Sequence, residues 1–210
     1  MFDLAFSVTD SKEAGYANHP KDDGGETYGG ISRVFHPNLA LWHRIDAVKA
    51  QLGIVNLDTS LRENRELLQE LNAILAKDNE LYNMRKAFFR KCFYDVHSCD
   101  KIKNIDIVVE LYDTSVLCGT IIAAMFLQRA MNVVNNNGSR WDNIKVDGNV
   151  GNITIKTLNK AISKGYAQEI FKVQNILQGY HFVNIAEKRP SQQINLIGWL
   201  LRVEFDVNKR

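Results

Sequence analysis

Phe2, Phe6, Thr9 and Glu13 fall three or four residues apart, so the chain opens on a short helix whose apolar stripe ends on a carboxylate, with Gly15 as a C-terminal cap. Residues 18–32, NHPKDDGGETYGGIS, carry four glycines and a proline and cannot continue that helix. They read as a loop with a small hairpin near residues 24–32. Leu39–Leu52 return to helical spacing, with Trp42, Ile45 and Val48 on one side. A long amphipathic run follows through Leu67, Leu71, Ile74, Leu81, Phe88 and Cys92, interrupted at Lys77-Asp78-Asn79. Ile105–Cys118 and Thr120–Val133 are the most apolar segments and predict two buried helices broken at Gly119. Asn135–Gly138 reads as a flexible loop and Val146-Asp147-Gly148 as a turn. Helices near Ile153–Ile162, Ala167–Gln178 (capped by Gly179) and Gln192–Leu201 complete a mainly α chain.

Composition narrows the class. With 210 residues and 45% hydrophobic content, the chain can bury a sizeable core. A formal net charge of only +2 argues against a nucleic-acid protein, although a mildly basic surface suits a polyanionic sugar polymer. Cys92, Cys99 and Cys118 form no metal-ligand pattern, and their odd number fits reduced thiols. The first residues, MFDLAFSVTDSKEAGY, lack the features of an export signal. The apolar stretch Ser115–Leu127 falls short of the roughly 20 residues that span a bilayer, so no membrane insertion is expected.

Candidate chemistry centres on Glu13. A carboxyl at a helix end, on the stripe shared with Phe2 and Phe6, is partly desolvated; its pKa then rises toward what a general acid needs at neutral pH. The bland alternative is a solvent-facing carboxylate at a frayed helix end. Asp22 and Thr27 follow across the glycine-rich turn, and either could hold a water or steady developing positive charge opposite the acid. Asp22-Asp23-Gly24-Gly25 is equally a turn sequence in its own right. Tyr16, Tyr28 and Trp42 have faces suited to a pyranose ring, with core packing as the alternative, favoured for Trp42. Trp199 is expected in the core, and Asp113, among apolar neighbours, as a scaffold carboxylate accepting structural hydrogen bonds. His36, His43, His97 and His181 show no spacing for a metal or a triad. The Gly24-Gly25 and Gly29-Gly30 pairs lack phosphate-loop context, so no cofactor and no metal are expected.

Several of these residues stand in an order that resembles a known family. Glu13-Ala14-Gly15-Tyr16, Pro20, Asp22, Gly24-Gly25, Thr27 and Gly30-Ile31-Ser32 are similar to the opening motif of glycoside hydrolase family 108, muramidases once called secretion activators. The usual form there is Glu-Gly-Gly-Tyr, a short loop, Asp-x-Gly-Gly-x-Thr and Gly-Ile-Thr. Leu111–Val116, Leu127–Ala130, Asp147–Thr154 and Gly198–Val203 are similar to the same family's C-terminal region, often described as peptidoglycan-binding. The departures are Ala14 for a glycine, His19 where Asp is common and Leu117 where Asn is usual.

The resemblance implies a lysozyme-like helical fold with a catalytic region over 1–104 and a helical peptidoglycan-binding region over 105–210, packed as one unit. It implies cleavage of the β-1,4 bond between N-acetylmuramic acid and N-acetylglucosamine. Glu13 would be the acid, Asp22 or Thr27 the partner, and Tyr16, Tyr28 and Gly30 the substrate-binding residues. A lytic transglycosylase on the same polymer and a non-cutting wall-binding module remain open alternatives. The partner is the peptidoglycan glycan strand. A chain made in the bacterial cytoplasm and acting on the wall, in a phage or bacterial host, would rely on a separate holin for release.

Overall fold

The computed structural model describes residues 1–10, 15–20 and 24–204. Among these the chain forms nine α-helices and one three-stranded antiparallel sheet. It divides into two compact units, one built from residues 6–90 and the other from residues 1–5 with 91–210.

The first unit carries the sheet. Strands β1 (Tyr16–Asn18), β2 (Glu26–Tyr28) and β3 (Ile31–Ser32) pair in chain order, with Tyr16 opposite Tyr28 and Tyr28 opposite Ile31. The β2–β3 connection is the two-residue turn Gly29-Gly30, and both glycines have positive φ (50° and 80°), the conformation that tight hairpins ask of them. The expected hairpin is therefore present, and β1 adds a strand that the sequence does not announce. Helix α1 (Phe2–Asp10) is described to Asp10; its expected end near Gly15 runs into residues outside the described set.

Helix α2 (Leu41–Gln51) buries Leu41, Trp42 and Ile45, and the Trp42 indole N–H donates to the His36 carbonyl at 2.7 Å. The long amphipathic run splits into α3 (Arg65–Leu75) and α4 (Asn79–Phe89). Asp78 causes the break: its Oδ1 accepts the Glu80 and Leu81 backbone N–H groups at 3.0 Å each, an N-cap that restarts the helix. A wider five-residue helical turn over Arg90–Tyr94 continues from α4.

The second unit is helical. α5 (Ile105–Cys118) and α6 (Thr120–Val134) meet at Gly119, whose φ of 88° ends one helix and begins the next. Both pack against α8 (Ala167–Lys188) around the fully buried Leu111, Leu127 and Phe171. α8 passes straight through Gly179, which does not cap it. Phe171, Asn175, Gln178, Phe182 and Ala186 keep one buried stripe running at helical spacing across the glycine, and that burial outweighs its flexibility.

Asp113 is scaffold, as its apolar neighbours predict; it is 2% exposed and accepts from Arg202 at 3.2 Å. Trp199 is not a core residue. It lies in α9 (Gln193–Leu200), is half-buried, and stacks on Phe182 at 5.4 Å while Ile194, Ile197 and Leu201 stay exposed. A helix that is apolar on every side does not declare which side will be covered.

Two turns are held by side chains. Asn135 Oδ1 accepts the Gly138 N–H at 2.9 Å, which organises the segment read from sequence as a flexible loop. The buried Gln128 clamps the turn at Asp147-Gly148, its Oε1 accepting both backbone N–H groups (3.0 and 2.9 Å) and its Nε2 donating to Asp147 Oδ1 at 2.9 Å. Helix α7 (Asn152–Ser163) follows that turn.

Candidate active site

Glu13 and Asp22 lie outside the described residues, so the site is built from their neighbours. The sheet brings Tyr16, Thr27, Tyr28 and Gly30 together: Ala17 pairs with Thr27, and Gly29-Gly30 turn the chain directly after Tyr28. Thr27 is half-buried, its hydroxyl 3.4 Å from the Ala17 carbonyl, a long and readily exchanged hydrogen bond. Gly30 is exposed at the hairpin tip.

Gly15 is the tightest point of the chain here. A Cβ on it would sit 2.2 Å from Asn72 Oδ1, the same oxygen that accepts the Tyr16 backbone N–H at 2.7 Å. A side chain at position 15 would therefore dislodge the bond that ties β1 to α3. The Gly15 carbonyl also accepts the Gly29 N–H at 3.1 Å, so the strand entry and the hairpin tip are fastened together.

Beside this point opens a cleft of about 430 Å³ lined by Gly15, Tyr28, Asn72, Leu75, Tyr82 and Arg85. Tyr28 contributes a buried ring, with its hydroxyl 3.5 Å from the Leu75 carbonyl; burial pushes its pKa up, and the Asp78 charge adds to the effect. Tyr82 is 43% exposed and offers an accessible aromatic face. Arg85 pairs with Asp10 and lies over the Phe6 ring at 5.5 Å. A cleft with an aromatic wall, an amide and a guanidinium has the mixed character that sugar rings need: apolar faces to stack on and polar edges to bond.

Tyr16 occupies a different setting. It is 3% exposed, and its hydroxyl donates to Glu26 Oε1 at 2.8 Å. Lys49 Nζ reaches the same oxygen at 2.7 Å, and Arg33 bonds Glu26 Oε2 at 2.9 Å while gripping Asp46 with two contacts of 2.7 Å. Burial alone would raise the Glu26 pKa. The hydrogen bonds from Lys49, Tyr16 and Arg33 outweigh it and hold the carboxyl below its ordinary value. Burial, reinforced by the bond to Glu26, drives the Tyr16 phenol well above its ordinary value, so it stays protonated. The network locks the sheet to α2.

Sequence reasoning missed Asn72, Tyr82, Arg85 and Glu26. Asn72 had a signal: an amide in mid-helix, next to the buried Leu71, competes poorly for helical structure unless it bonds elsewhere. Glu26, Arg33, Asp46 and Lys49 gave none, because their meeting depends on the pairing of the sheet.

Residues 6–119 match the family model of Glycosyl hydrolase 108, and residues 122–204 match that of a Predicted Peptidoglycan domain. A solved structure, that of SagA from Brucella abortus, aligns with 99% of this chain and 97% of its own at 18% identity and a TM-score of 0.50, a likeness of fold. No curated protein matches the chain.

Proposed function

This chain belongs to glycoside hydrolase family 108, and from that premise we propose that it is an N-acetylmuramidase cutting the β-1,4 bond between N-acetylmuramic acid and N-acetylglucosamine. A glycoside hydrolase joined to a peptidoglycan domain acts on peptidoglycan; the choice of bond and the roles of individual residues are our reading. The observation that carries it is the cleft that opens at Gly15, two residues along the sequence from Glu13.

Glu13 is the general acid. It delivers its proton to the glycosidic oxygen as the bond from that oxygen to C1 breaks, and positive charge develops on the sugar ring. Water then adds to C1 and gives up a proton, leaving one reducing end and one free hydroxyl. Asp22 or Thr27 serves that water. Thr27 suits the task, because its hydroxyl is only loosely held by the Ala17 carbonyl and can turn to a water instead. Tyr28 walls the cleft, and Gly30 leaves the hairpin tip open to a polymer passing over it. Tyr16 supports the substrate side indirectly, by anchoring β1 through Glu26. Residues 1–104 would supply the chemistry and residues 105–210, with the turn just before them, the hold on the wall.

Product mass tests this reading. Digestion of purified peptidoglycan is expected to yield fragments with N-acetylmuramic acid at a reducing end. Fragments ending in a 1,6-anhydro sugar, one water lighter, would mean that the sugar's own hydroxyl replaces water and that the chain is a lytic transglycosylase. Reducing N-acetylglucosamine ends would contradict the choice of bond.

A further inference from the structure

The second unit carries a cationic face that the cutting reaction does not use. Between Asp147 and Glu169 the sequence has no acidic residue. Within that stretch, Lys156, Lys160 and Lys164 recur every four residues, so their side chains follow one face of α7 and its C-terminal end over about 12 Å. All three are exposed.

A turn held beside the row adds two more cations. Asn159 of α7 accepts the Lys103 backbone N–H at 3.0 Å and donates to the Lys101 carbonyl at 2.8 Å, which fixes a turn bearing two more exposed lysines against the helix. At the C-terminal end of α7, Lys164 Nζ donates to the Arg140 carbonyl at 2.6 Å, which holds that ammonium in place. Among the described residues, none of Lys101, Lys103, Lys156, Lys160 and Lys164 has a carboxylate partner. Ile153 lies one turn before Lys156 on the same face and is 75% exposed, so an apolar spot accompanies the charges.

We propose that Lys101, Lys103, Lys156, Lys160 and Lys164 form a docking surface for the carboxylates of peptidoglycan peptide stems, with Ile153 receiving an apolar stem side chain. The inference rests on the reading of peptidoglycan as substrate. It assigns the hold on the polymer to stem peptides rather than to the sugars cut at the other unit. Repeating free carboxylates on a chain of small amino acids complement a row of fixed ammonium groups spaced about 6 Å apart with one apolar neighbour. A row of cations also makes the hold salt-sensitive, because the charges stay in water and are screened.

The test uses the full chain and the triple variant Lys156→Gln, Lys160→Gln, Lys164→Gln, sedimented with insoluble peptidoglycan at low and high salt. One wall preparation carries its stems, a second has them removed by an amidase, and a third is stem-free but retains phosphodiester wall polymer. Three exposed ion pairs at about 0.5 kcal/mol each correspond to about tenfold in affinity. The triple variant is expected to lose about tenfold in binding to stem-bearing wall at low salt, and to match the native chain on stem-free wall. The variant Lys156→Arg, Lys160→Arg, Lys164→Arg is expected to bind like the native chain.

Equal sedimentation of the native and glutamine chains on stem-bearing wall would overturn the proposal. So would an equal loss on amidase-treated wall, or a loss confined to the phosphodiester-bearing wall. Cleavage of short, soluble, stem-free glycans is measured alongside. If the native chain fails to cut them yet binds stems through the lysines, the muramidase reading fails and the docking surface stands.

Discussion

Glu26 shows how much one carboxylate can organise. It receives a phenol, an ammonium and a guanidinium while only 16% of its side chain is exposed. Glu26→Gln keeps the size and can still accept from Tyr16, but removes the charge that Lys49 and Arg33 need. Because a group left buried without its counter-charge is costly, we expect a loss of about 2–4 kcal/mol by denaturant titration. Retained activity at low temperature would separate that loss from any effect on chemistry. Its pKa is depressed in the fold, so its contribution is full above the ordinary carboxylate range and is lost as pH falls below that range through its own depressed value.

His97 behaves similarly for another reason. Burial alone lowers its pKa to about 4, with its Nε2 2.8 Å from the Ser115 hydroxyl. The unfolded chain takes up a proton near pH 6.5 and the fold resists until about 4. Stability is therefore full above pH 6.5 and declines between pH 6.5 and 4, by about 3 kcal/mol in all. His97→Gln is expected to flatten that part of the stability–pH curve, as urea midpoints across the range would show.

Among the elements, legibility follows the length of the pattern. The break at Gly119, the helices on either side of it and a hairpin within residues 24–32 are readable, because each rests on several residues or on a glycine-rich turn composition. β1 was not, because three residues, Tyr-Ala-Asn, are too few to show alternation and are ordered by Thr27 and Asn72 from elsewhere in the chain. The sequence makes Gly15 a helix cap, at a helix end outside the described residues, and gives no sign of the close approach to Asn72 that forbids a side chain there.

Gly15→Ala is expected to cost about 1–3 kcal/mol through forced displacement. Asn72→Ala alone should cost about 1 kcal/mol for the lost bond to Tyr16. Combined, the two should cost less than their sum, since removing Asn72 makes room for the methyl; thermal melts of the four chains decide it. Gly179→Ala should move the other way. It lies inside α8, and its new Cβ would meet Val203 at an ordinary 3.5 Å, so we expect a gain of about 0.5–1 kcal/mol.

For the whole molecule, the ordered set of motifs was the strongest sequence signal, and the family match over residues 6–119 agrees with it. Local pattern alone left Glu13 divided between an acid and a frayed helix end. No periodicity could show that Asn72, Tyr82 and Arg85, from α3 and α4, would line a cleft at Gly15. Trp199 makes the same point for the C-terminal helix, where burial depends on the neighbour, here Phe182.

The proposed chemistry depends on the transferable proton of Glu13, and Glu13→Gln removes that proton while keeping the shape and most hydrogen bonding of the side chain. The decisive quantity is the rate at which this variant releases soluble fragments from purified peptidoglycan, relative to the native chain, with both shown to melt at the same temperature. A fall of at least about a hundredfold is predicted from the usual contribution of general acid catalysis; release at the native rate would contradict the assignment.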